Sequence, residues 1–387
     1  MDQPVGRRLP NIDYEGFSKE IFALREETRA DLGEDDIRHL KRVIWRNRLF
    51  TIFGYATAWL LPNPVSAYLI SQGIFGRWLI MHHVGHGGYD QVPNMPKRYT
   101  SKVFALGWRR YIDWFDWIDT AAWNYEHNVL HHMNCSEAHD PDLVEDHATF
   151  LRNSKLPRWA KYLFCAFISI TWKYVYYAPN TLRALDERGR NEPEENVWRM
   201  IFNSGLDFRL ARVRSLWLKC LIPYFLVAFV ILPLLFFPLG KWAVFCVLMN
   251  RIIAECMTNF HSYLVIAPNH AGEDIYRFDY HFEGKEEFAV NQVISSCNYH
   301  TGTETLDYLQ IWLNYQIEHH LYPRLPMIRY RELQPKVKAL CDQYNVPYVQ
   351  EGVWSRFWKM IDITVGNTSM PWLRENEEQA IPAERAA

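Results

Sequence analysis

Leu221 to Gly240 reads LIPYFLVAFVILPLLFFPLG, and beyond Lys241 the run from Trp242 to Pro268, WAVFCVLMNRIIAECMTNFHSYLVIAP, carries only Arg251 and Glu255 as charges. A bilayer hydrocarbon core of about 30 Å takes about 20 apolar residues of helix. Both runs are long enough, and Pro238-Leu239-Gly240-Lys241 is a short link between them. The pair predicts a transmembrane hairpin, with crossings at about 220–240 and 242–266.

Upstream, Leu49 to Gly76 is 28 residues without a charge, and the apolar character runs on to Met81. Lys41, Arg42, Arg46 and Arg48 precede this run and Lys97, Arg98, Lys102, Arg109 and Arg110 follow it. Basic flanks stay cytosolic, so the run should cross twice, at about 45–62 and 64–81, bending near Pro62 and Pro64. The 33 residues from Leu49 to Met81 reach only about 50 Å at ~1.5 Å per residue. Two crossings must therefore borrow flanking residues. A weaker apolar stretch, Tyr162 to Leu182, contains Lys173 and is followed by Arg183, Arg199, Arg209, Arg212, Arg214 and Lys219. With a cytosolic middle loop, segment 160–180 is expected to lie in the interface.

The expected fold is all-α and integral to the membrane: a multi-pass chain of four transmembrane helices under a cytosolic helical cap, with both termini inside. Three segments follow: 1–48, cytosolic and including the charged amphipathic stretch Asp31 to Asn47; 49–346, the membrane domain; and 347–387, a cytosolic tail that is acidic from Arg374 onward. The N-terminus has no apolar core of a secretory signal.

Composition agrees with this division once averages are set aside. Forty-two basic against 44 acidic residues give a formal charge of −2, which argues against a nucleic-acid partner. A mean hydropathy of −0.25 describes a soluble protein only if apolar and charged residues are mixed, and here they are segregated. Trp, Tyr and Phe together number 60, and Trp and Tyr favour membrane surfaces. The 7 cysteines contain no CxxC pair, which excludes a zinc ribbon and gives no disulfide framework.

Eight of the 15 histidines fall in three tight groups: HHVGH at 82–86, HNVLHH at 127–132 and EHH at 318–320. His82 and His86, like His127 and His131, are four apart, so on a helix each pair faces one point. Neutral imidazole is a common ligand for zinc, copper and iron. A zinc hydrolase of the HExxH type needs a Glu after the first histidine; His83 and Asn128 stand there instead. A carboxylate-bridged di-iron bundle needs ExxH pairs on four long helices, which the hydrophobic map does not provide. A histidine-lined metal transporter would place its ligands near the bilayer midplane, whereas these groups sit at the cytosolic ends of the apolar runs. His39, His139, His147 and His281 stand alone in polar surroundings and are expected at the solvated surface.

The three groups resemble the histidine boxes of the membrane fatty acid desaturase superfamily. HHVGHGGYD is similar to its first box, WNYEHNVLHHMNCSEAHDPDL to its second, and LNYQIEHHLYPRLP to the third box of acyl-lipid and front-end members. APNHAGEDIY resembles the place where the family supplies one more ligand. The resemblance implies a non-haem di-iron centre, two iron ions that use O2 and two electrons to take hydrogens from a fatty acyl chain. It carries over His82, His86, His127, His131, His132, His270, His319 and His320 as ligands, with no catalytic residue beyond them. Gln316 would act through water or beside the ligands, and Asp90, Asp142, Glu126, Asp140 and Glu318 are candidates for orienting imidazole N–H groups.

Two departures stand out. Three residues separate His127 from His131 and His132, where front-end relatives usually have two, and no HPGG segment of a fused cytochrome b5 is present. Electrons must then come from a separate donor of ferredoxin, rubredoxin or cytochrome b5 type. His261 and His300 have no family counterpart, and either could fill a ninth ligand position or a structural one. The expected activity is desaturation of a membrane lipid's acyl chain. A hydroxylase, acetylenase, ketolase or terminal-alkene-forming decarboxylase is the alternative that the boxes leave open.

Overall fold

The computed structural model describes residues 6–188, 198, 201 and 205–375, and these are mostly helical. Helix α1 (Tyr14–Ala30) is capped by Asp13, which accepts from the Gly16 amide at 3.0 Å. Helix α2 (Glu34–Ala58) starts with Glu34, Asp35 and Asp36 at the positive end of its dipole, and Asp36 reaches back to the Gly33 amide at 2.8 Å. The charged stretch and the start of the first apolar run thus share one continuous helix, and residue 48 is not a structural boundary. Helix α3 (Pro64–Gly85) begins with Pro at its first position and the Asn63 side chain accepting from the Ser66 amide at 2.8 Å. Both helices extend past the apolar run, as its short length requires.

The α2–α3 hairpin is held close by glycine. A Cβ on Gly54 would lie 2.8 Å from Ile70 Cγ1, and one on Gly73 3.2 Å from Thr51 Cα. Small residues at such crossings let helix backbones approach.

A short helix α4 (Thr120–Tyr125) and the longer α5 (Arg158–Trp172) come next. The second hairpin then follows: α6 (Ala211–Leu239) and α7 (Lys241–Ile266). Stretches Ala211–Leu239 and Lys241–His270 are long and apolar enough to cross a bilayer. Helix α6 is not a regular α-helix. Pro223 and Pro233 each remove a backbone donor, and π turns at Leu216–Leu221 and Leu226–Ile231 take up the misfit ahead of each proline.

Helices α3 and α7 lie side by side and parallel. The Asn63 amide donates to Asn250 Oδ1 at 2.8 Å, Thr258 Oγ1 donates to Ser71 Oγ at 3.0 Å, and Gln72 Nε2 meets His261 Nδ1 at 3.2 Å. The turn of the first hairpin therefore sits beside Asn250, nine residues beyond the start of α7, or about 13 Å along its axis. Helix α5 packs along α7, and the π turn that extends it, Lys173–Tyr177, is tied there by the Lys173 amide donating to Asn259 Oδ1 at 2.8 Å.

The cap is built from α8 (Gly284–Ile294), α9 (Gln316–Leu321), α10 (Arg329–Tyr344) and α11 (Val353–Val365). Two small parallel pairings complete it: β1 (Arg277–Phe278) with β4 (Trp372–Leu373), and β2 (Cys297–Tyr299) with β3 (Val349–Glu351). Residues 347–375, read from sequence as a tail, thus belong to the cap. The acidic end beyond residue 375 lies outside the described residues.

Candidate metal centre

His82 is in the last turn of α3 and His86 caps that helix. His127, His131 and His132 follow α4, His270 ends a 3-10 turn that extends α7, and His319 and His320 lie on α9. All eight are buried. The spacing of the second box is explained by its backbone. Residues Glu126–His131 form a π turn, with the His132 amide donating to the His127 carbonyl at 3.1 Å. A π turn absorbs one extra residue in a helix, so His127, His131 and His132 all reach the cluster despite the longer spacing.

The side chains form two adjoining groups. Ligand atoms of His82, His86, His127 and His319 lie within 4.8 Å of one another, and so do those of His131, His270, His320 and Cys135. His132 stands between the groups, its ring 4.4 Å from that of His86 and stacked at 4.2 Å on His320.

The donor set fits metal ions. His86 Nε2, His320 Nε2 and both ring nitrogens of His127 and His132 are buried without a hydrogen-bond partner, a cost that native interiors rarely carry unexplained. His82 Nε2 and His319 Nε2 approach to 3.0 Å, about the separation of adjacent nitrogens each ~2.1 Å from one ion. Burial first, and neighbouring imidazoles second, hold His127, His132, His319 and His320 well below the usual histidine range. They are therefore neutral, the form in which imidazole has a lone pair to give. Burial also lowers His131, but the Asp140 carboxylate outweighs it and the net shift is upward.

Outer contacts decide which nitrogen points inward. His131 Nδ1 meets Asp140 Oδ1 at 2.8 Å, His320 Nδ1 meets Gln292 Oε1 at 2.8 Å, and His319 Nδ1 lies 3.3 Å from the Tyr330 hydroxyl. His270 Nδ1 lies 3.2 Å from the Ser295 carbonyl, and its Nε2 meets Gln316 Nε2 at 2.7 Å. Gln316 is itself oriented by Asn269, which donates to its Oε1 at 3.0 Å.

Several expectations need correction. Asp90 takes the Ser101 amide and hydroxyl, at 2.8 and 2.6 Å, and orients no imidazole. Asp142 does remain beside the cluster, a carboxylate oxygen lying within 4.8 Å of ligand atoms of His127 and His131, though at 4.0 Å from His131 Nδ1 it is farther than Asp140. It also faces Glu126, and burial, then the partner's charge, raises Glu126, while burial raises Asp142. Glu318 points away from the cluster, accepting from Asn298 Nδ2 at 2.8 Å and the Tyr348 hydroxyl at 2.9 Å. His261 is bonded to Gln72 and the Leu309 carbonyl and stacked on Phe75, a structural role outside the cluster, and His300 is exposed. His39 is buried against Trp312, and His147 is bonded to Tyr176 beside the cavity described next, so neither is a surface residue. Gln292, Tyr330 and Cys135 were not anticipated. Gln292 and Tyr330 lie in no histidine motif and reach the site only through the tertiary fold, whereas Cys135 stands three residues after His132 within the second motif.

The cluster has two unlike approaches. One is a cavity reaching His82, His127, His131 and His270 and walled by apolar and aromatic side chains, among them Leu151, Ile168, Trp172, Tyr177, Tyr263 and Met360. The other is a polar cleft over His86, His132 and His320, bordered by Arg25, Arg29, Lys102 and Arg324.

Comparison with known proteins agrees with this construction. The chain is similar to the NADPH-dependent stearoyl-CoA 9-desaturase of Mycobacterium tuberculosis, 26% identical over 98% of this chain and 86% of the relative. It is also similar to the Delta 8-(E)-sphingolipid desaturase of Candida albicans, 24% identical over 88% of this chain and 57% of that one. The Delta(8)-fatty-acid desaturase of Euglena gracilis is 25% identical over 59% of this chain and 51% of its own length. The sequence model of the fatty acid desaturase family matches residues 56–352, most of the chain and all three histidine groups, and the chain belongs to that family of oxidoreductases.

Proposed function

We propose that this protein is a multi-pass membrane desaturase that introduces a double bond into a fatty acyl chain, using O2 at two iron ions. The observation that carries the reading is the pair of adjoining histidine groups closing one end of a cavity with apolar walls. His82, His86, His127, His131, His132, His270, His319 and His320 would hold the ions, with Gln316 beside His270. When bound, such a centre supplies the oxidising power to remove hydrogens from unactivated carbon.

The chain's own residues do the rest. Asp140 holds the Nδ1 proton of His131 and Gln292 that of His320, leaving each Nε2 directed at the centre. Trp172, Tyr177 and Tyr263 form walls that favour a hydrocarbon chain over water. The polar cleft offers a separate approach for an electron donor, in keeping with a relative described as NADPH-dependent. The two hairpins would make four crossings, with the histidine cluster and both termini on the cytosolic side, consistent with the basic residues on both sides of the first apolar run and ahead of the second.

Metal analysis of the purified full-length protein tests this reading. About two irons per chain, released together with oxidising activity, are expected. Stoichiometric zinc with metal transport and no oxidation of lipid would reject it.

A further inference from the structure

Helix α11 presents Trp354 and Trp358, one turn apart, at 55% and 56% exposure, while its opposite face is fixed in the cap. Arg356 on that inner face is fully buried, its guanidinium bonded to Asp274 and to the Ala271 carbonyl. The helix therefore cannot roll to hide its tryptophans. Two large exposed indoles on a locked helix call for a partner, since isolated apolar residues on a surface are ordinary but paired ones on one face are a patch.

Position along the membrane hairpin identifies that partner. The Trp354 ring lies 6.3 Å from that of Phe260 on α7. Phe260 is nineteen residues along from Lys241, where α7 begins, which is about 29 Å of helix, close to one hydrocarbon thickness. The patch is thus placed where α7 leaves the bilayer, the depth at which Trp concentrates. Helix α5 adjoins it and exposes Trp159, Leu163 and Phe167 on its own outer face. The two helices are joined by Asn367 donating to the Tyr162 hydroxyl at 3.1 Å and by Lys161 donating to the Val365 carbonyl at 3.4 Å.

We infer that α11, the last helix among the described residues, is a membrane-contact element whose Trp354 and Trp358 are seated in the inner interfacial layer beside α5. This rests on the membrane-spanning reading of the α6–α7 hairpin. The other face of α11 supplies Met360 and Thr364 to the apolar cavity, so this single helix separates the bilayer from the space that would hold the acyl chain.

The test uses the full chain in phospholipid nanodiscs with a nitroxide at Trp358→Cys or, in a second variant, Trp354→Cys. Both are in a Cys256→Ser background, because the other native thiols are buried. Labels at Leu226→Cys, exposed on α6, and His139→Cys, exposed in the segment between the second histidine group and α5, provide lipid and aqueous references. Collision with O2 should exceed collision with a water-soluble nickel chelate at 358 and 354, as at 226, and the ratio should be several-fold above that at 139. Labels at 358 and 354 that match position 139 while 226 reads as lipid would overturn this proposal alone. An aqueous reading at 226 would overturn the spanning reading and this proposal with it.

Discussion

The two histidine groups are held in different ways. Around His131, His270 and His320 every ring has a polar partner: Asp140, the Ser295 carbonyl with Gln316, and Gln292. In the other group only His319 has a polar side chain outside the cluster, the Tyr330 hydroxyl at 3.3 Å, and around His82, His86 and His127 the neighbours are mostly rings. His82 packs edge-on to Trp78 at 4.9 Å, and His127 stacks on Trp123 at 4.7 Å. One group is oriented by hydrogen bonds, which fix the tautomer as well as the angle, and the other by close packing, which fixes the angle alone. Polar substitutions should therefore damage the first, and cavity-forming ones the second.

Removing a ligand should have the largest effect and erase the difference between the groups. His131→Ala and His82→Ala are each expected to abolish lipid oxidation and to lower iron content, measured by elemental analysis. Trp123→Ala comes next. It empties a fully buried indole site, which typically costs about 3–5 kcal/mol, visible as a lower thermal unfolding midpoint with disturbed metal binding at His82, His86 and His127. Asp140→Asn removes the charge facing His131 and should reduce metal affinity or activity by about 10–100-fold with a smaller change in unfolding. A fall in stability as large as that of Trp123→Ala would contradict the division drawn between the two groups. Gln292→Leu deletes the hydrogen bond to His320 and one to the His132 carbonyl, each worth about 1 kcal/mol, and should weaken iron retention less than Asp140→Asn. His300→Ala, at an exposed position, should leave both iron content and activity unchanged.

The same contrast explains how much the sequence discloses. Ring-bearing ligands cluster in short local motifs, and the apolar length of the second hairpin is local too, so both are legible residue by residue. Gln292, by comparison, meets His320 across 28 residues, and nothing in the pattern of α8 marks it. Asp140 and Asp142 are equivalent as written in HDPD. They differ because Asp140 accepts from the Ser136 amide at 2.7 Å and the Asp142 amide at 2.9 Å, a turn that aims it at His131. His39 and His147 have polar neighbours in sequence and aromatic ones in space. Residues 349–375 show no extended apolar period, yet pairing with strands 52 residues or more upstream folds them into the cap. In each case the missing information is a long-range contact.

The most direct test of the account is the acyl profile of a host that expresses the full-length protein with an iron supply and a competent electron donor, read by mass spectrometry against the His131→Ala variant. A new acyl species lighter by two hydrogens, absent with the variant, is expected. A product heavier by one oxygen, an alkene shorter by one carbon, or an unchanged profile from iron-loaded protein would contradict it.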